Sequence, residues 1–439
     1  MGPTYIKLGQ LLSTRHDLLP QAYTDALARL QDDVEPISTD DVRAIITQEL
    51  KADVRALFEE FDDEPLAAAS LGQVHRARTK TGKDVVVKVQ RPDVRETVRD
   101  DMELLTQGAG MIDTRTSLGE RIGTADLLAQ FRRSIADELD YRKELANLEK
   151  FAELVEDEGI LVVPRPVRDY STSQVLTMEF IEGRKVTDIS PVGLLDIDGT
   201  AMAGALFHFF LDTLLNHGIL HADPHPGNLL VTPEGQLALI DMGMVVRVPR
   251  RVRQQLVRVL LAIGEGDGEE VANVLASMGH PLSDFDAAAF RDDVSHLVSS
   301  VLSLGKDLQA GSVLVSLARI SGTHGLRPPA EMSMIGKALL NLDQAVEHLD
   351  PHFVPAEAIR ENVATLITSG FSISNGSAIA AALETKEFAA NLPRRANRIM
   401  DALSNGELTM RVDALDEDRL LQTMHQVANR LTVGLVLAA

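Results

Sequence analysis

The sequence predicts a two-lobed α+β fold, with a small sheet-containing N-lobe followed by a large helical C-lobe. Strand-like segments at 74–78 and 84–90 flank a turn, which predicts a hairpin early in the chain. Beyond about residue 248 the apolar residues recur at helical spacing, interrupted by prolines. We therefore divide the chain into an N-terminal helical extension, an N-lobe and a C-lobe, at residues 1–60, 61–182 and 183–439.

The order of the remaining elements follows from the period of the apolar residues. Residues 1–60 have helical spacing, and the Thr39-Asp40-Asp41 segment predicts a helix cap. After the first hairpin, residues 94–158 are again helical and charged, and residues 174–180 form an apolar strand that leads into a linker between the lobes. A helix and a second hairpin follow, at 199–217 and at 229–232 with 237–240.

Composition limits the classes of partner. A formal net charge of -22 argues against non-specific binding to nucleic acid, so we expect no nucleic-acid partner. The absence of cysteine excludes disulfides, thiol nucleophiles and Cys-ligated zinc, and it is compatible with a reducing cytoplasm. We recognise no export or lipidation signal at the start of the chain. The apolar run at 431–439 is either a buried terminal helix or the start of a membrane segment, which needs about 20 residues.

The most informative motif is His221-Ala-Asp-Pro-His-Pro-Gly-Asn228, followed by Asp241-Met-Gly243. Phosphoryl transfer needs an acid that orients a hydroxyl or water, and oxygen ligands that hold Mg2+. Asp223 is the candidate for the first role, and Asn228 and Asp241 are candidates for the second. The Asp223 to Asn228 spacing equals that of the protein-kinase motif H-R-D-L-x-x-x-N, which precedes D-F-G. A simple turn is the alternative, because Asp-Pro favours turns.

Lys88 closes the apolar strand segment 85–88, where a kinase carries the lysine that pairs with the nucleotide phosphates. Such a lysine needs a carboxylate partner. Glu138, Asp140 and Glu144 lie in the helical stretch where that partner is expected, although they also fit a charged, solvated helix face. The residues by themselves leave open whether Glu138 or Glu144 pairs with Lys88, so both are catalytic candidates.

An alanine run lies before Lys88, at the place of the glycine-rich phosphate loop of kinases. Its methyl groups restrict φ and limit how closely the backbone N–H groups can approach phosphates. We expect the nucleotide to contact this loop, Lys88 and the end of the strand before the linker. The predicted nucleotide contacts are Ala67, Ala68, Ala69, Ser70, Gly72, Gln73, Val74, Lys88, Met178, Glu179 and Ile181.

These motifs together resemble those of the UbiB/ADCK (AarF-like) family of atypical kinases. The resemblance rests on the alanine loop, Glu138-Leu-Asp140, the two motifs around Asp223 and Asp241, and above all Lys7-Leu-Gly-Gln10 near the start. It covers nearly the whole chain, including the segments Leu392-Pro-Arg-Arg395 and Gly406-Glu-Leu408.

The resemblance implies a protein-kinase-like bilobal fold in which the N-terminal extension crosses the site where a protein substrate would bind. Lys7 and Gln10 share a helix face and would have a regulatory role by meeting Glu138 and Asp140. Glu144 is then the partner for Lys88. The chain also has no A-P-E motif and little room for an activation loop after Gly243, so a groove for peptide substrates is not expected.

The function that the resemblance implies is that of an atypical kinase or ATPase, which binds ATP or ADP with Mg2+ and supports isoprenoid quinone biosynthesis. Expected partners are the nucleotide, membrane lipid or a quinone-like small molecule, and quinone-biosynthesis enzymes. We expect a cytoplasmic protein, peripheral to or anchored at the membrane. The alternatives are a Ser/Thr protein kinase and a non-catalytic, nucleotide-gated module that binds a lipid or a partner.

Overall fold

The computed structural model describes residues 2–358, apart from 14, 16–17, 20, 29–33, 114–123, 157–158, 191–192, 194–196, 305–308 and 356–357. Three features of the sequence lie outside the described residues: the apolar run at 431–439 and the motifs at 392–395 and 406–408. In chain order the strands are β1 (Phe58–Phe61), β2 (Ala67–Ala68), β3 (Gly72–Thr79), β4 (Asp84–Gln90), β5 (Leu161–Val162), β6 (Val175–Glu179), β7 (Arg184–Lys185), β8 (Ile219–His221), β9 (Leu229–Val231), β10 (Leu237–Leu239), β11 (Val245–Arg247), β12 (His280–Pro281) and β13 (Leu326–Arg327).

Helices dominate both ends of the described chain. They are α1 (Pro3–Ser13), α2 (Gln21–Ala28), α3 (Thr39–Leu50), α4 (Val54–Leu57), α5 (Val94–Asp113), α6 (Thr124–Glu138), α7 (Tyr141–Leu154), α8 (Gly199–Asp212), α9 (Arg250–Glu265), α10 (Gly268–Met278), α11 (Ala287–Leu304), α12 (Ala310–Thr323) and α13 (Ala330–Leu349). Among the described residues, no helix is both long enough and apolar enough to cross a membrane.

The N-lobe is built on an antiparallel sheet with strand order β1-β3-β4-β6, and β2 pairs with β3. The predicted first hairpin is confirmed as β3 and β4, which are joined by a turn that contains Gly82 at φ 82°. Glycine adopts positive φ without steric cost, so Gly82 can close this turn. The register places Lys88 opposite Val74 on one side and Leu176 on the other.

One face of this sheet packs on α3, which buries Val42 and Ile46 against Phe58 and Val85. The sheet and its helical cover therefore begin before residue 61, and the expected division between residues 60 and 61 falls within β1. The cap of α3 also lies one residue earlier than expected. The Ser38 hydroxyl, and not the Thr39 segment, accepts a hydrogen bond from the N–H of Asp41 at 3.2 Å.

The C-lobe is organised around the buried helix α8, whose apolar side chains include Phe207. We expected one helix to residue 217, but α8 ends at Asp212 and residues Thr213–His217 form a π-helical turn. The second hairpin is confirmed as β9 and β10, within a sheet of order β5-β10-β9-β7. Strand β8 pairs antiparallel with β11, with His221 opposite Val245, so the motif that begins at the end of β8 and the Asp241-Met-Gly243 motif that precedes β11 meet at one end of this pair.

A separate cluster of apolar side chains holds the N-terminal helix. Leu11 of α1 packs with Leu71 after the alanine loop and with buried residues of α5 and α6, among them Val98, Phe131 and Ile135. Burying a leucine-sized side chain contributes about 1.5–3 kcal/mol, which is enough to hold a short helix on a folded surface. The extension is therefore joined to the region of the alanine loop through a core of its own.

Candidate active site

A buried ion pair joins the N-lobe sheet to helix α7. The Nζ atom of Lys88 lies 2.9 Å from Oε1 and 2.9 Å from Oε2 of Glu144. The side-chain exposure is 23% for Lys88 and 6% for Glu144, so water screens this pair weakly. Burial acts to lower the pKa of Lys88, but the charges of Glu144 and Asp241 outweigh it and raise this pKa. Lys88 thus pairs with Glu144, which is one of the two partners that the sequence left open.

Asp241 lies beside this pair. Its Oδ1 accepts a hydrogen bond of 2.8 Å from the N–H of Gly243, and a Cβ at Gly243 would approach Oδ1 to 3.1 Å and Glu144 Oε2 to 3.7 Å. Burial by itself would raise the pKa of Asp241, but the Lys88 charge and the Gly243 N–H hold this pKa below its usual value. The Asp241 side chain is therefore an ionised carboxylate, whose oxygens could bind a cation. Asn147 of α7 fixes the same turn, because its Nδ2 donates to the carbonyl of Met242 at 3.0 Å.

His221 connects the two motifs. Its Nε2 lies 2.8 Å from the carbonyl oxygen of Asp241, and its Nδ1 accepts from the N–H of Asp223 at 3.2 Å. A carbonyl only accepts and an N–H only donates, so the imidazole is neutral with its proton on Nε2. Burial lowers the pKa of His221, which favours the same neutral form. In this position the ring of His221 orients the backbone of both motifs.

Asn228 is brought next to Asp241 by the second hairpin. Its carbonyl accepts a hydrogen bond of 3.1 Å from the N–H of Ile240, the residue before Asp241, and β9 and β10 pair directly behind it. Asn228 and Asp241 thus lie at the open end of one hairpin, the first before β9 and the second after β10.

Asp223 has a partner that the motif did not predict. Its Oδ1 accepts a hydrogen bond of 2.6 Å from Nδ2 of Asn341 on α13, more than 100 residues later in the chain. Lys337 lies one turn earlier on the same helix, within electrostatic range of Asp223. Helix α13 contacts the turn Pro226–Asn228 that follows Asp223.

The alanine loop is the turn of a small hairpin. Ala67 and Ala68 pair with Val74 and Gln73 across β2 and β3, and the N–H of Ala69 donates to the carbonyl of Gly72 at 2.8 Å. Ala67 and Ala69 are exposed, whereas Ser70 is buried and its hydroxyl has no hydrogen-bond partner among the described residues.

Gly72 is needed for close packing at the base of this loop. A Cβ there would lie 2.5 Å from the hydroxyl of Tyr141 and 2.5 Å from the carbonyl of Val89. Tyr141 also places its ring 5.4 Å from the Nζ of Lys88, and its hydroxyl has no hydrogen-bond partner in the described part of the chain. Any larger residue at position 72 would move either the β4 backbone or this ring.

The side chains of several predicted nucleotide contacts are engaged elsewhere. The Gln73 side chain is buried, accepts from the N–H of Ile37 at 2.8 Å and donates to the carbonyl of the same residue at 3.3 Å. Met178 packs into the C-lobe core, and the Glu179 carboxylate accepts from the N–H of Arg165 at 3.2 Å. Ile181 is half-buried after β6. These four positions offer mainly backbone groups.

The N-terminal helix reaches the site through Lys7. Its Nζ lies 3.0 Å from Glu138 Oε2, and each side chain is 19% exposed. Glu138, which was predicted as a catalytic candidate, therefore forms an ion pair with Lys7 and not with Lys88. Lys7 is also among the groups that lower the pKa of Asp241 against its burial, after Lys88, Gly243 and His221. Gln10, one turn along α1, is half-buried and bonded within the fold.

Asp140, the second predicted regulatory acid, has a local role. It caps α7 by accepting from the N–H of Arg142 at 3.2 Å, and it pairs with the guanidinium of that residue at 2.7 Å. The hydrogen bonds from Arg142 hold the pKa of Asp140 below its usual range. A carboxylate that is two residues after Glu138 and four before Glu144 thus belongs to neither ion pair.

Four residues at this site were not predicted from the sequence: Tyr141, Asn147, Lys337 and Asn341. Tyr141 and Asn147 flank Glu144 at helical spacing, so the face of α7 offered a signal once Glu144 was chosen. No local signal marks the other two, because α13 reads as an ordinary core helix and its position against the catalytic loop depends on tertiary packing.

The family assignment follows from this architecture and from similarity in sequence. The ABC1 atypical kinase-like domain matches residues 29–275. The chain belongs to this family. It is 32% identical to the Synechocystis protein sll1770, and the match covers 100% of this chain and 77% of that protein. It is 31% identical to the chloroplastic ACTIVITY OF BC1 COMPLEX KINASE 8 of Arabidopsis thaliana, where it covers 100% of this chain and 63% of the relative.

Two further matches bear on the earlier expectations. The chain is 32% identical to "Probable protein kinase UbiB" of Azotobacter vinelandii, over 80% of this chain and 66% of that protein. This confirms the resemblance to UbiB. A solved structure, the complex of Rv3197 with erythromycin from Mycobacterium tuberculosis, matches at a TM-score of 0.57 and 24% identity, covering 81% of this chain and 90% of that one. It confirms the kinase-like fold of this family member.

Proposed function

We propose that this ABC1-family protein binds Mg-ATP and acts as an atypical kinase or ATPase. The observation that carries the proposal is the buried pair of Lys88 and Glu144, which places an ammonium group beside Asp241 although the three residues come from three distant segments. Structural ion pairs also occur in cores, but replacing them with apolar residues is often neutral or stabilising. A half-buried lysine beside an ionised aspartate is typical of phosphate chemistry.

The residues present fit a nucleotide with magnesium. Mg2+ is usually held by one or two protein oxygen ligands, with phosphates and water completing its shell. Asp241 and Asn228 supply a carboxylate and an amide, and no group of three or more acidic or imidazole side chains that could bind a metal is found in the described ranges. The buried Ser70 hydroxyl, which lacks a partner among the described residues, lies in the loop expected to face phosphates.

Each residue then has a defined task. Lys88, held in place by Glu144, binds phosphate oxygens, and Asp241 with Asn228 would hold Mg2+, which supplies charge neutralisation when bound. His221 keeps the backbones of Asp223 and Asp241 in register by bonding both. Asp223 accepts the proton of the attacking water or hydroxyl through its carboxylate.

We further propose that the acceptor is water or a small molecule at or near membrane lipid, in support of isoprenoid quinone biosynthesis. Helix α1 supports this view. Its Lys7 pairs with Glu138 and lies within electrostatic range of Asp241, so α1 borders the site at which a protein substrate would bind. A peptide would have to displace α1, whereas a small headgroup would not. The proposed pathway is the one that the resemblance to the UbiB/ADCK family implies.

Hydrolysis of ATP, measured with and without liposomes that contain a quinone-like headgroup, tests the proposal. Asp241→Asn and Asp223→Asn should each lower turnover by at least about 100-fold, because each removes a charge that acts on the reacting phosphate. Asp212→Asn, at the exposed hydrogen bond between Asp212 and Asn216 at the end of α8, is the matched control and should retain turnover.

The outcomes separate the alternatives. Equal turnover in both site variants and the wild type would refute phosphoryl transfer at this site. Labelled phosphate on an added protein would instead indicate a Ser/Thr kinase. Tight ATP binding without hydrolysis, even with lipid, would indicate a nucleotide-gated binding module.

A further inference from the structure

We propose that Lys337 and Asn341 of helix α13 form the acceptor side of the active site, where Lys337 binds the phosphoryl group in transit and Asn341 orients Asp223. The inference rests on the proposed phosphoryl transfer and assigns two residues that lie outside every motif of the sequence. Both come from the last helix that the structure describes.

Asn341 fixes one oxygen of the Asp223 carboxylate. Its Nδ2 donates to Oδ1 at 2.6 Å, a short distance for a bond between an amide and a carboxylate. An amide nitrogen can only donate, so Oδ1 of Asp223 is the acceptor in this bond and is held in one position. Among the described residues, no side chain donates to the other oxygen, Oδ2. That oxygen is free to accept a proton from a water or hydroxyl.

Lys337 stands four residues before Asn341, so both side chains project from the same face of α13 toward the catalytic loop. The side chain is half-buried, and the described part of the chain offers it no ion pair. Burial lowers the pKa of Lys337 in spite of the Asp223 charge, which means that the ammonium is poorly solvated where it stands. An anion that binds there would restore the lost solvation.

The charges around the site distinguish Lys337 from the other two lysines. Lys88 is paired with Glu144 and Lys7 with Glu138. Among the three lysines of the described site, Lys337 is therefore the one whose positive charge is least neutralised by a paired carboxylate. It lies on the side of Asp223. A phosphoryl group in transit carries negative charge on three oxygens, and a point charge such as lysine stabilises it without needing a fixed bond angle.

The proposed step transfers the terminal phosphoryl group of ATP to water or to an acceptor hydroxyl. The bond between the terminal phosphorus of ATP and its bridging oxygen breaks, and the electron pair leaves with ADP. A bond forms from phosphorus to the oxygen of water or of the acceptor hydroxyl, and the proton of that oxygen passes to Oδ2 of Asp223. Lys337 remains protonated throughout and acts on the charge of the three phosphoryl oxygens.

A binding experiment tests Lys337 without relying on turnover. Titration calorimetry with Mg-ADP, alone and with aluminium fluoride as a mimic of the phosphoryl group, measures how strongly the mimic tightens ADP binding. We expect Lys337→Met to lose about 10-fold to 100-fold of that tightening while ADP alone binds as in the wild type. Lys337→Arg keeps the charge and should retain most of it. Lys150→Met, at an exposed ion pair with Glu153, is the control and should behave as the wild type.

Two results would overturn the assignment of Lys337. One is unchanged tightening in Lys337→Met, and the other is a wild type that binds ADP but gains nothing from aluminium fluoride. In both cases nucleotide binding, and with it the proposed function, would survive. A wild type that binds no ADP would instead remove the proposed function and this inference together.

Steady-state kinetics test Asn341 as a positioning residue. Asn341→Leu should lower kcat by about 10-fold or more with the KM for ATP within about twofold, because the bond orients Asp223 and does not touch the nucleotide. Asn216→Leu removes an amide that donates to Asp212 at the same distance of 2.6 Å on the surface, and it should leave both constants unchanged. A matching loss of kcat in both variants, or a change confined to KM in Asn341→Leu, would refute the role.

Discussion

Two lysine–glutamate pairs near the candidate site have nearly equal lengths but belong to different kinds of packing. Lys88 and Glu144 meet at 2.9 Å between the central strand β4 and helix α7, and only 6% of the Glu144 side chain is exposed. Lys7 and Glu138 meet at 3.0 Å between helices α1 and α6, and both side chains are 19% exposed.

The difference lies in what holds each pair. β4 has partners on both sides in its sheet, so the backbone at Lys88 cannot move without breaking strand pairing. Helix α1 is held by a small apolar cluster around Leu11 and by its ion pair. The first pair is therefore a fixed part of the site, whereas the second can open at a lower cost in free energy. Two similar contacts can thus serve catalysis and access separately.

The largest expected effect comes from breaking the inner pair. Lys88→Met should lower ATP turnover by at least about 100-fold and reduce the free energy of unfolding by about 3–5 kcal/mol, because Glu144 is left buried without a counter-charge. Urea unfolding and a phosphate-release assay measure the two effects. In Lys88→Met with Glu144→Leu, stability should recover while turnover stays lost. Recovery of neither would show that the pair is not the cause.

The two paired glutamates can be compared with Asp343, a buried carboxyl that forms no ion pair with a lysine among the described residues. Asp343 accepts from the N–H of Gly311 at 2.9 Å, its Oδ1 has no partner in the described part of the chain, and burial raises its pKa from 3.8 to about 7. The folded state therefore holds this proton between about pH 4 and 7, where the unfolded chain has lost it. Stability should fall as the pH rises through this window, by an amount on the order of a few kcal/mol.

Asp343→Asn tests that dependence. The variant should flatten the stability curve between pH 4 and 7, measured by urea unfolding at several pH values. A slope identical to that of the wild type would mean that Asp343 is ionised in the folded state.

The outer pair should give a moderate effect of another kind. Lys7→Met should raise amide hydrogen exchange in α1 by about threefold to tenfold, because the helix keeps its apolar cluster and loses its ion pair. Affinity for ADP should stay within about twofold of the wild type. If exchange in α1 is unchanged while ADP binding is lost, Lys7 belongs to the nucleotide site and the contrast between the pairs fails.

The smallest effect is expected at Asp140, which lies between the two glutamates in sequence and pairs with neither lysine. Asp140→Ala removes a helix cap and an exposed ion pair, which together should cost about 1 kcal/mol of unfolding free energy. Turnover should remain that of the wild type. A loss of turnover as large as that of Lys88→Met would show that Asp140 acts in catalysis.

Part of the site could be predicted because its residues lie in short local patterns. The Asp223 to Asn228 spacing and the position of Lys88 at the end of an apolar strand segment are visible in the sequence, since a turn and a strand each span only a few residues. The family resemblance then supplied the meeting of α1 with Glu138, and the structure shows that contact through Lys7.

The partners of these residues were harder to predict. Glu138 and Glu144 are both acidic, both helical and six positions apart, and the break between α6 and α7 turns them toward different lysines. Gln73 seemed part of the nucleotide loop, but the strand pleat directs it to Ile37.

The sequence by itself determined the fold class, the two hairpins and the family, because each depends on periodicity or on motifs of residues close in the chain. Only the tertiary structure decided which glutamate meets Lys88, that Asp140 is a cap, and that Asn341 bonds Asp223. The physical reason is distance along the chain. Contacts between residues 56 or 118 positions apart depend on how whole helices pack, and no local pattern of side chains records that packing.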